Sequence, residues 1–470
     1  MKNTVVFLSL ISALLLCLAL LLGYYFFTDP CQGQCSIPPI KDEAPLPAIS
    51  KAAFVTKSYT LPNGIKLFVL PTTFEPDEVS VRVIASRGYA DESPRARASA
   101  ELAIEMAWES GVNGKTSDQI SATLYAEGIE LTSKVYPFFT VMEATLPTEK
   151  MDKFFTLAST FIQNAHITSK GSDAIKQKIW KNLEEKADAR TVDLDDLLKE
   201  QLYPALPQLQ SLRLSDLQIL NPHDANIFLR KTISNPKNYT IVVVGDIEPE
   251  TAYQLLKEHL GQWKPLAQIN ASEFEVPSQE SLPIKGQTQK SFNLHQKGDG
   301  FTKLVFPLKI TVTQESIRTI DFLANLVEER LRTLLKEKTG SYQGIDVSYE
   351  FPLYPHLTPV VLSIQYRSAF NINQEIIELI LKNLRELTTK GPSKEEYEMV
   401  NLYLGQADEY WRKNNEYWLE MLSNYGLWNW PVNDLTSDVT LQVNEKDVNE
   451  MIFNVFDIND YLMLSSSLAP

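Results

Sequence analysis

"NPKNYTIVVVGDIEPETAYQLLKEHLGQW", residues 235–263, carries an apolar run straight into an amphipathic one across a Gly-Asp pair. Tyr239 to Val244 is a continuous aromatic and β-branched stretch, the pattern of a strand buried on both faces. Gly245-Asp246 ends that strand, and residues 248–263 read as the helix that follows. Working outward, "YTLPNGIKLFVLP" (59–71) opens the globular part as a strand in which Ile65, Leu67 and Val69 alternate and Asn63-Gly64 supplies the turn. "EVSVRVIA" (78–85) is a second strand, with Val79, Val81 and Val83 on one face. Next comes a helix that starts near Ser93-Pro94 and stops at Gly111. A short helix (118–127), strands near 129–135 and 138–146, and helices at about 149–164 and 172–189 complete this half.

Residues 266–288 turn polar and read as an interdomain linker. Beyond it the same alternation returns. "SFNLHQ" and "KLVFPLKIT" are followed by a long helix (314–338), the strands "GIDVSYEF" and "VVLSIQYRS", and helices at 373–389, 394–421 and 446–454. Two units that interleave strands and helices in a similar order predict an α+β class with two duplicated domains, 51–265 and 289–470.

The chain has 470 residues, 44% of them apolar, enough to bury more than one core. Its net charge is −15 and no basic face is clustered, which excludes a nucleic-acid partner. Residues 5–27 carry no charge and end in Tyr24, Tyr25, Phe26 and Phe27. At 1.5 Å rise per residue such a run spans a hydrocarbon core of about 30 Å. With Lys2 before it and Asp29 after it, the run is expected to be a retained transmembrane anchor rather than a cleaved signal peptide. Residues 1–4 would be a cytoplasmic tip, and the bulk of the single-pass chain would be periplasmic or otherwise extracytoplasmic. Residues 28–50 are proline-rich and read as a stalk. Of the cysteines, Cys17 lacks the small residues of a lipid-attachment box. Cys31 and Cys35 can form a local disulfide or remain two surface thiols.

Three stretches, in order and at plausible spacing across 55–470, resemble the pitrilysin/insulinase family of zinc peptidases. They are "LPNGIKLFV" (61–69), residues 235–263, and "ERLRTLLKEKTGSYQG" (329–344). Residues 69–88 and 412–422 are most similar to the non-catalytic C-terminal half of the long periplasmic members, which carry four such domains where this chain would carry two. The resemblance implies mixed sheet-plus-helices domains of the pitrilysin/mitochondrial processing peptidase type, placed here behind one N-terminal transmembrane helix.

The family's chemistry needs H-x-x-E-H on a helix: two imidazoles one turn apart on zinc, and a glutamate that takes a proton from the zinc-bound water. In "ELAIEMAWESG" (101–111) the matching positions are Glu101, Ile104 and Glu105, and the downstream ligand position falls on Asn182. Neither imidazole is present, and isoleucine neither accepts nor donates a proton. No two of His166, His223, His259, His295 and His356 lie within one helical turn, so the motif is not rebuilt elsewhere. Glu101 and Glu105, four residues apart, are a weak alternative as oxygen ligands for a hard ion such as calcium or magnesium. The simpler account is an acidic helix face, extended by Glu109 and partly paired with Arg97. Active relatives also place an arginine and, seven residues on, a tyrosine against the substrate carbonyl. The matching positions are Lys336 and Gln343, with Tyr342 adjacent as a substitute phenol.

A membrane-anchored, catalytically inactive peptidase-like protein is therefore the expected function, either a non-catalytic subunit or a peptide-binding and assembly partner. A separate chain bearing H-x-x-E-H would complete a two-chain metallopeptidase. An active metalloendopeptidase with an altered metal site and a stand-alone peptide-binding module are the alternatives. No cofactor is expected, although active relatives use zinc. The expected partners are the membrane through residues 5–27, the separate zinc chain, and peptides or unfolded segments.

Overall fold

A computed structural model describes residues 55–188, 194–266, 284, 286–294, 300–308, 310–339, 343–351, 360–432 and 443–468. The chain divides into the units Met1–Ala52 and Ala53–Pro470. The stalk, the apolar run 5–27 and all three cysteines lie outside the described residues, as do His295 and His356.

The larger unit begins with β1 (Lys57–Thr60), β2 (Lys66–Pro71) and β3 (Glu78–Ala85). The motif stretch follows as α1 (Arg97–Glu101) and α2 (Ala103–Glu109). Then come α3 (Ser117–Ala126), β4 (Glu130–Val135), β5 (Thr140–Pro147), α4 (Met151–Asn164) and α5 (Ser169–Asp188). Three helices, α6 (Leu194–Leu202), α7 (Leu214–Gln218) and α8 (Pro222–Thr232), lead into β6 (Tyr239–Gly245) and α9 (Pro249–Leu260). The six strands pair in the order β1-β2-β6-β3-β5-β4, with β2 and β6 parallel and the other neighbours antiparallel.

The residues that define β6 have physical jobs. Ile241 to Val244 have no accessible surface. Gly245 has φ 139°, and a Cβ there would stand 2.4 Å from the Glu78 carbonyl oxygen, so only glycine fits. The Asp246 carboxylate accepts the Asp77 N–H at 2.9 Å, closing the turn before β3. In the opening strand, the Asn63 amide donates to the carbonyls of Leu260 (2.7 Å) and Trp263 (3.1 Å), satisfying acceptors at the end of α9.

The second half holds β7 (Gln287–Leu294), β8 (Gly300–Leu308), α10 (Gln314–Thr339), β9 (Gln343–Glu350) and β10 (Val360–Ser368). It continues with α11 (Asn373–Lys390), α12 (Lys394–Trp411), α13 (Asn415–Leu427), α14 (Glu445–Glu450) and β11 (Tyr461–Leu468). Its five strands pair as β7-β11-β8-β10-β9. The helix expected over 394–421 is two helices, because Asn414 adopts an extended backbone and its side chain accepts the N–H groups of Glu416 and Tyr417, starting α13 afresh.

Both sheets are buried on both faces. On the first, Leu67, Val69, Val81, Val83, Ile241 and Val243 join a core with helices of the same half. The opposite face, with Phe68, Leu70, Ile84, Val242 and Val244, is covered by Trp418, Leu419, Leu422 and Tyr425 of α13. The Arg82 guanidinium ties that contact to Glu143 (2.6 Å) and Glu420 (2.5 Å), and the Thr72 hydroxyl donates to the Asn415 side-chain oxygen at 2.6 Å. Leu304, Phe306 and Leu362 of the second sheet face α10 and α11, whereas Val305, Val361, Leu462 and Leu464 reach into the first core.

The expectation of a single-pass membrane placement, N-terminus cytoplasmic and the bulk of the chain extracytoplasmic, is corrected here. No helix among the described residues is long and apolar enough to cross a membrane. The longest ones, α5 and α10, are amphipathic and carry Lys, Glu and Asp along their length. The run 5–27, on which that expectation rested, lies outside the described residues.

Candidate functional site

The motif stretch is helical with a break. Leu102 (φ −95°, ψ 1°) separates α1 from α2, although its N–H still donates to the Ala98 carbonyl at 3.2 Å. The end of α2 meets the start of α5. The Thr168 N–H donates to Ser110 Oγ at 3.0 Å, and a Cβ at Gly171 would lie 2.1 Å from that oxygen. Trp108 stacks on Phe161 with centroids 4.1 Å apart and donates its indole N–H to Ser133 Oγ of β4 at 3.1 Å. The motif helix is therefore fixed against the terminal strand of the first sheet.

Glu101 is paired with Arg97, whose Nε lies 2.9 Å from Glu101 Oε2. Arg97 is itself 5% exposed, so its charge is held inside the protein and must be satisfied there. Its guanidinium donates to the carbonyl oxygens of Gln210 and Ser211, lies 3.6 Å from Asp216 Oδ2 and stands 5.5 Å from the centre of the Tyr89 ring. Burial raises the Glu101 carboxyl pKa, while Arg97, and then Lys134 of β4 and Lys199 of α6, pull it back. Burial likewise raises the Tyr89 phenol.

Ile104, which the sequence comparison sets against the family's proton acceptor, is 6% exposed and lines an apolar recess with Val83, Met142, Phe161, Phe228 and Leu229. Glu105 is half-buried on α2, and Asn182 is exposed on α5. Lys336 is exposed on α10, Gln343 opens β9 opposite Arg367, and Tyr342 lies outside the described residues. His166 and His223 are exposed, and His259 lies 2.9 Å from Asp152 on α4.

These residues do not fit a zinc ion. The positions that would supply two imidazoles and a base supply two carboxylates and a hydrocarbon, and the first carboxylate already has a guanidinium beside it and two lysines within electrostatic reach. A dication would have to displace that positive charge. Among the described residues, no group of three or more His, Cys, Asp or Glu side chains is placed to hold a metal ion. Sequence reasoning finds the Arg97–Glu101 pair from its i, i+4 spacing. It misses Lys134, Lys199 and Tyr89, which reach the site only through the fold.

Comparison with known proteins places this geometry. Residues 229–401, from the end of α8 into α12, match the peptidase M16 inactive domain. A zinc protease PQQL-like protein of Arabidopsis thaliana is 23% identical over 222 residues, which is 45% of this chain and 23% of that protein. The match thus spans about a quarter of the curated relative's length. In structure, a protease from Helicobacter pylori superposes with a TM-score of 0.72 at 15% identity, covering 89% of this chain and all of that one. The ferredoxin protease FusC, solved in complex with Arabidopsis ferredoxin, superposes with a TM-score of 0.70 at 14% identity, covering 93% of this chain and 49% of that one. The middle of the chain thus matches the peptidase M16 inactive domain, and the described fold is the one seen in the solved proteases it superposes on.

Proposed function

We propose that the chain is a non-catalytic, peptide-holding partner in a peptidase assembly, whose first domain spans 51–265 and whose second spans 289–470. The observation that carries this reading is the contrast beside β4. The chemistry of the motif helix has been replaced by an ion pair and a buried isoleucine, whereas β4 remains the terminal strand of its sheet, with residues alternating between exposed and half-buried. An extended peptide adds to such an edge through main-chain hydrogen bonds, without needing a metal. FusC, whose chain is about twice as long as the part matched here and which was solved in complex with a ferredoxin, supports a peptide or protein as the bound partner. A separate chain with H-x-x-E-H would supply zinc and base, and this chain would supply half of the enclosure.

The test uses the purified full chain in a quenched-peptide assay, with metal analysis, with and without chelator. No stoichiometric zinc and no turnover are expected from the chain alone. Turnover is expected to appear on adding an H-x-x-E-H chain that co-purifies with it. Chelator-sensitive cleavage by the chain alone, lost on Glu101→Ala, would overturn the proposal in favour of an altered metal site. Peptide binding with no co-purifying zinc chain would favour a module that works alone.

A further inference from the structure

A second recess opens at the other end of the first sheet, beside β1 rather than β4. Its volume of about 360 Å³ falls within the range of ligand-binding clefts. One wall is the edge strand β1 with Lys66 of β2, and the other is the end of α13 with the turn that follows it.

The aromatic part of this recess is braced. Trp430 meets Tyr425 edge-on with centroids 5.4 Å apart and stacks on Trp428 at 5.7 Å. The Trp430 N–H donates to the Tyr425 carbonyl at 2.9 Å. On the strand wall, Phe68 of β2 contributes a further aromatic ring on the face that α13 covers. Between the walls, the Lys66 ammonium donates to Asn429 Oδ1 at 2.6 Å, and Asn429 sits in the left-handed region with φ 54°.

The polar groups of the recess are rich in donors. An asparagine whose oxygen is engaged still carries an NH₂ group, and an ammonium has three donors. The exposed hydroxyls of Ser58 and Thr60 add two more. A ligand suited to this set presents acceptors and flat apolar faces. The geometry points to a proline-rich peptide in the polyproline II conformation as the occupant. Its prolines have no N–H, its carbonyls make no internal hydrogen bonds, and its rings pack on aromatic faces while little conformational freedom is lost. A strand added to β1 would leave the aromatic wall of α13 unused, and an anion would find a single ammonium already bound to Asn429.

The test titrates the full chain with a proline decamer, followed by tryptophan fluorescence and calorimetry, with a glycine-serine decamer as control. Saturable binding of the proline peptide is expected. Trp430→Ala should weaken it at least about tenfold, and Asn429→Gly, which keeps the left-handed backbone but removes the amide, about threefold or more. If Trp430→Ala perturbs folding, shown by a lowered melting temperature, Asn429→Gly decides. Absence of saturable binding to the native chain, equal binding of the glycine-serine decamer, or binding unchanged in a folded Asn429→Gly protein would each overturn the inference.

Discussion

Two half-buried carboxylates, one in each half of the molecule, are accommodated in different ways. Glu101 lies beside the Arg97 guanidinium, with Lys134 and Lys199 adding positive potential. Asp321 on α10 is surrounded instead by an amide, a phenol and a second carboxylate. The Asn325 amide donates to it at 3.3 Å, the Tyr349 hydroxyl hydrogen-bonds to it, and the carboxylate of Asp408 repels its charged form. Burial, and then Asp408, push the Asp321 pKa up to about 6. One region therefore meets the cost of desolvating a carboxylate with a guanidinium, whereas the other keeps its proton up to about pH 6. The difference teaches that the helix pair at 97–109 is a charge-balanced structural element, in which the positive charge comes from the chain itself.

The sharpest way to break this contrast is to add a third carboxylate that has neither remedy. Ile104→Glu restores the side chain of the catalytic glutamate but puts it into an apolar recess. It is expected to destabilise the protein by about 4 kcal/mol and to yield no turnover, as read by thermal melting and the peptide assay. Native-like stability would mean that the recess admits water and that the helix is closer to an active site than argued. Next in size is Arg97→Ala, which leaves Glu101 unpaired and the Gln210 and Ser211 carbonyls without their donor. A loss of about 3 kcal/mol is expected, with Arg97→Lys recovering only part of it because the planar fork is gone.

Asp321→Asn tests the other carboxylate through pH. The folded-state value of about 6 lies above the ordinary aspartate value of 3.8, so between them the folded state holds more protons and stability falls as pH rises. The contribution is complete below pH about 4, is lost by pH about 7, and amounts at most to about 3 kcal/mol. Denaturant melts across that window should flatten in the Asn variant, and parallel curves would show that Asp321 is ordinary. Smallest of all, Glu105→Ala should change stability by less than about 0.5 kcal/mol and metal content not at all. A measurable loss of bound calcium or magnesium would revive the oxygen-ligand reading.

Much of the fold was legible because its signals are local. The apolar run of β6, the glycine that ends it and the Asn-Gly turn before β2 each carry their reason within a few residues. The break at Leu102 carries no such mark. Asn414 did offer a cap signal inside the run 394–421, but the helical periodicity on both sides masks it. The helices over 194–232 are short, so their apolar spacing gives little pattern to read. The pairing of α13 with the first sheet could not be read at all, since Thr72 and Asn415 are 343 positions apart. The site follows the same rule. Arg97 declares itself one turn before Glu101, whereas Lys134 and Lys199 come from other elements and are brought there only by tertiary packing.

The covering of the first sheet by α13 has a consequence for biosynthesis. When β6 leaves the ribosome, every strand of that sheet exists, yet the helix that seals its second face lies about 170 residues further along the message. At roughly 5–20 residues per second, the wait is on the order of 10–30 seconds. During that interval Phe68, Leu70 and Val242 would be presented to the cell as a bare hydrophobic wall, so the nascent chain is expected to depend on a chaperone or holdase until its last quarter has been translated.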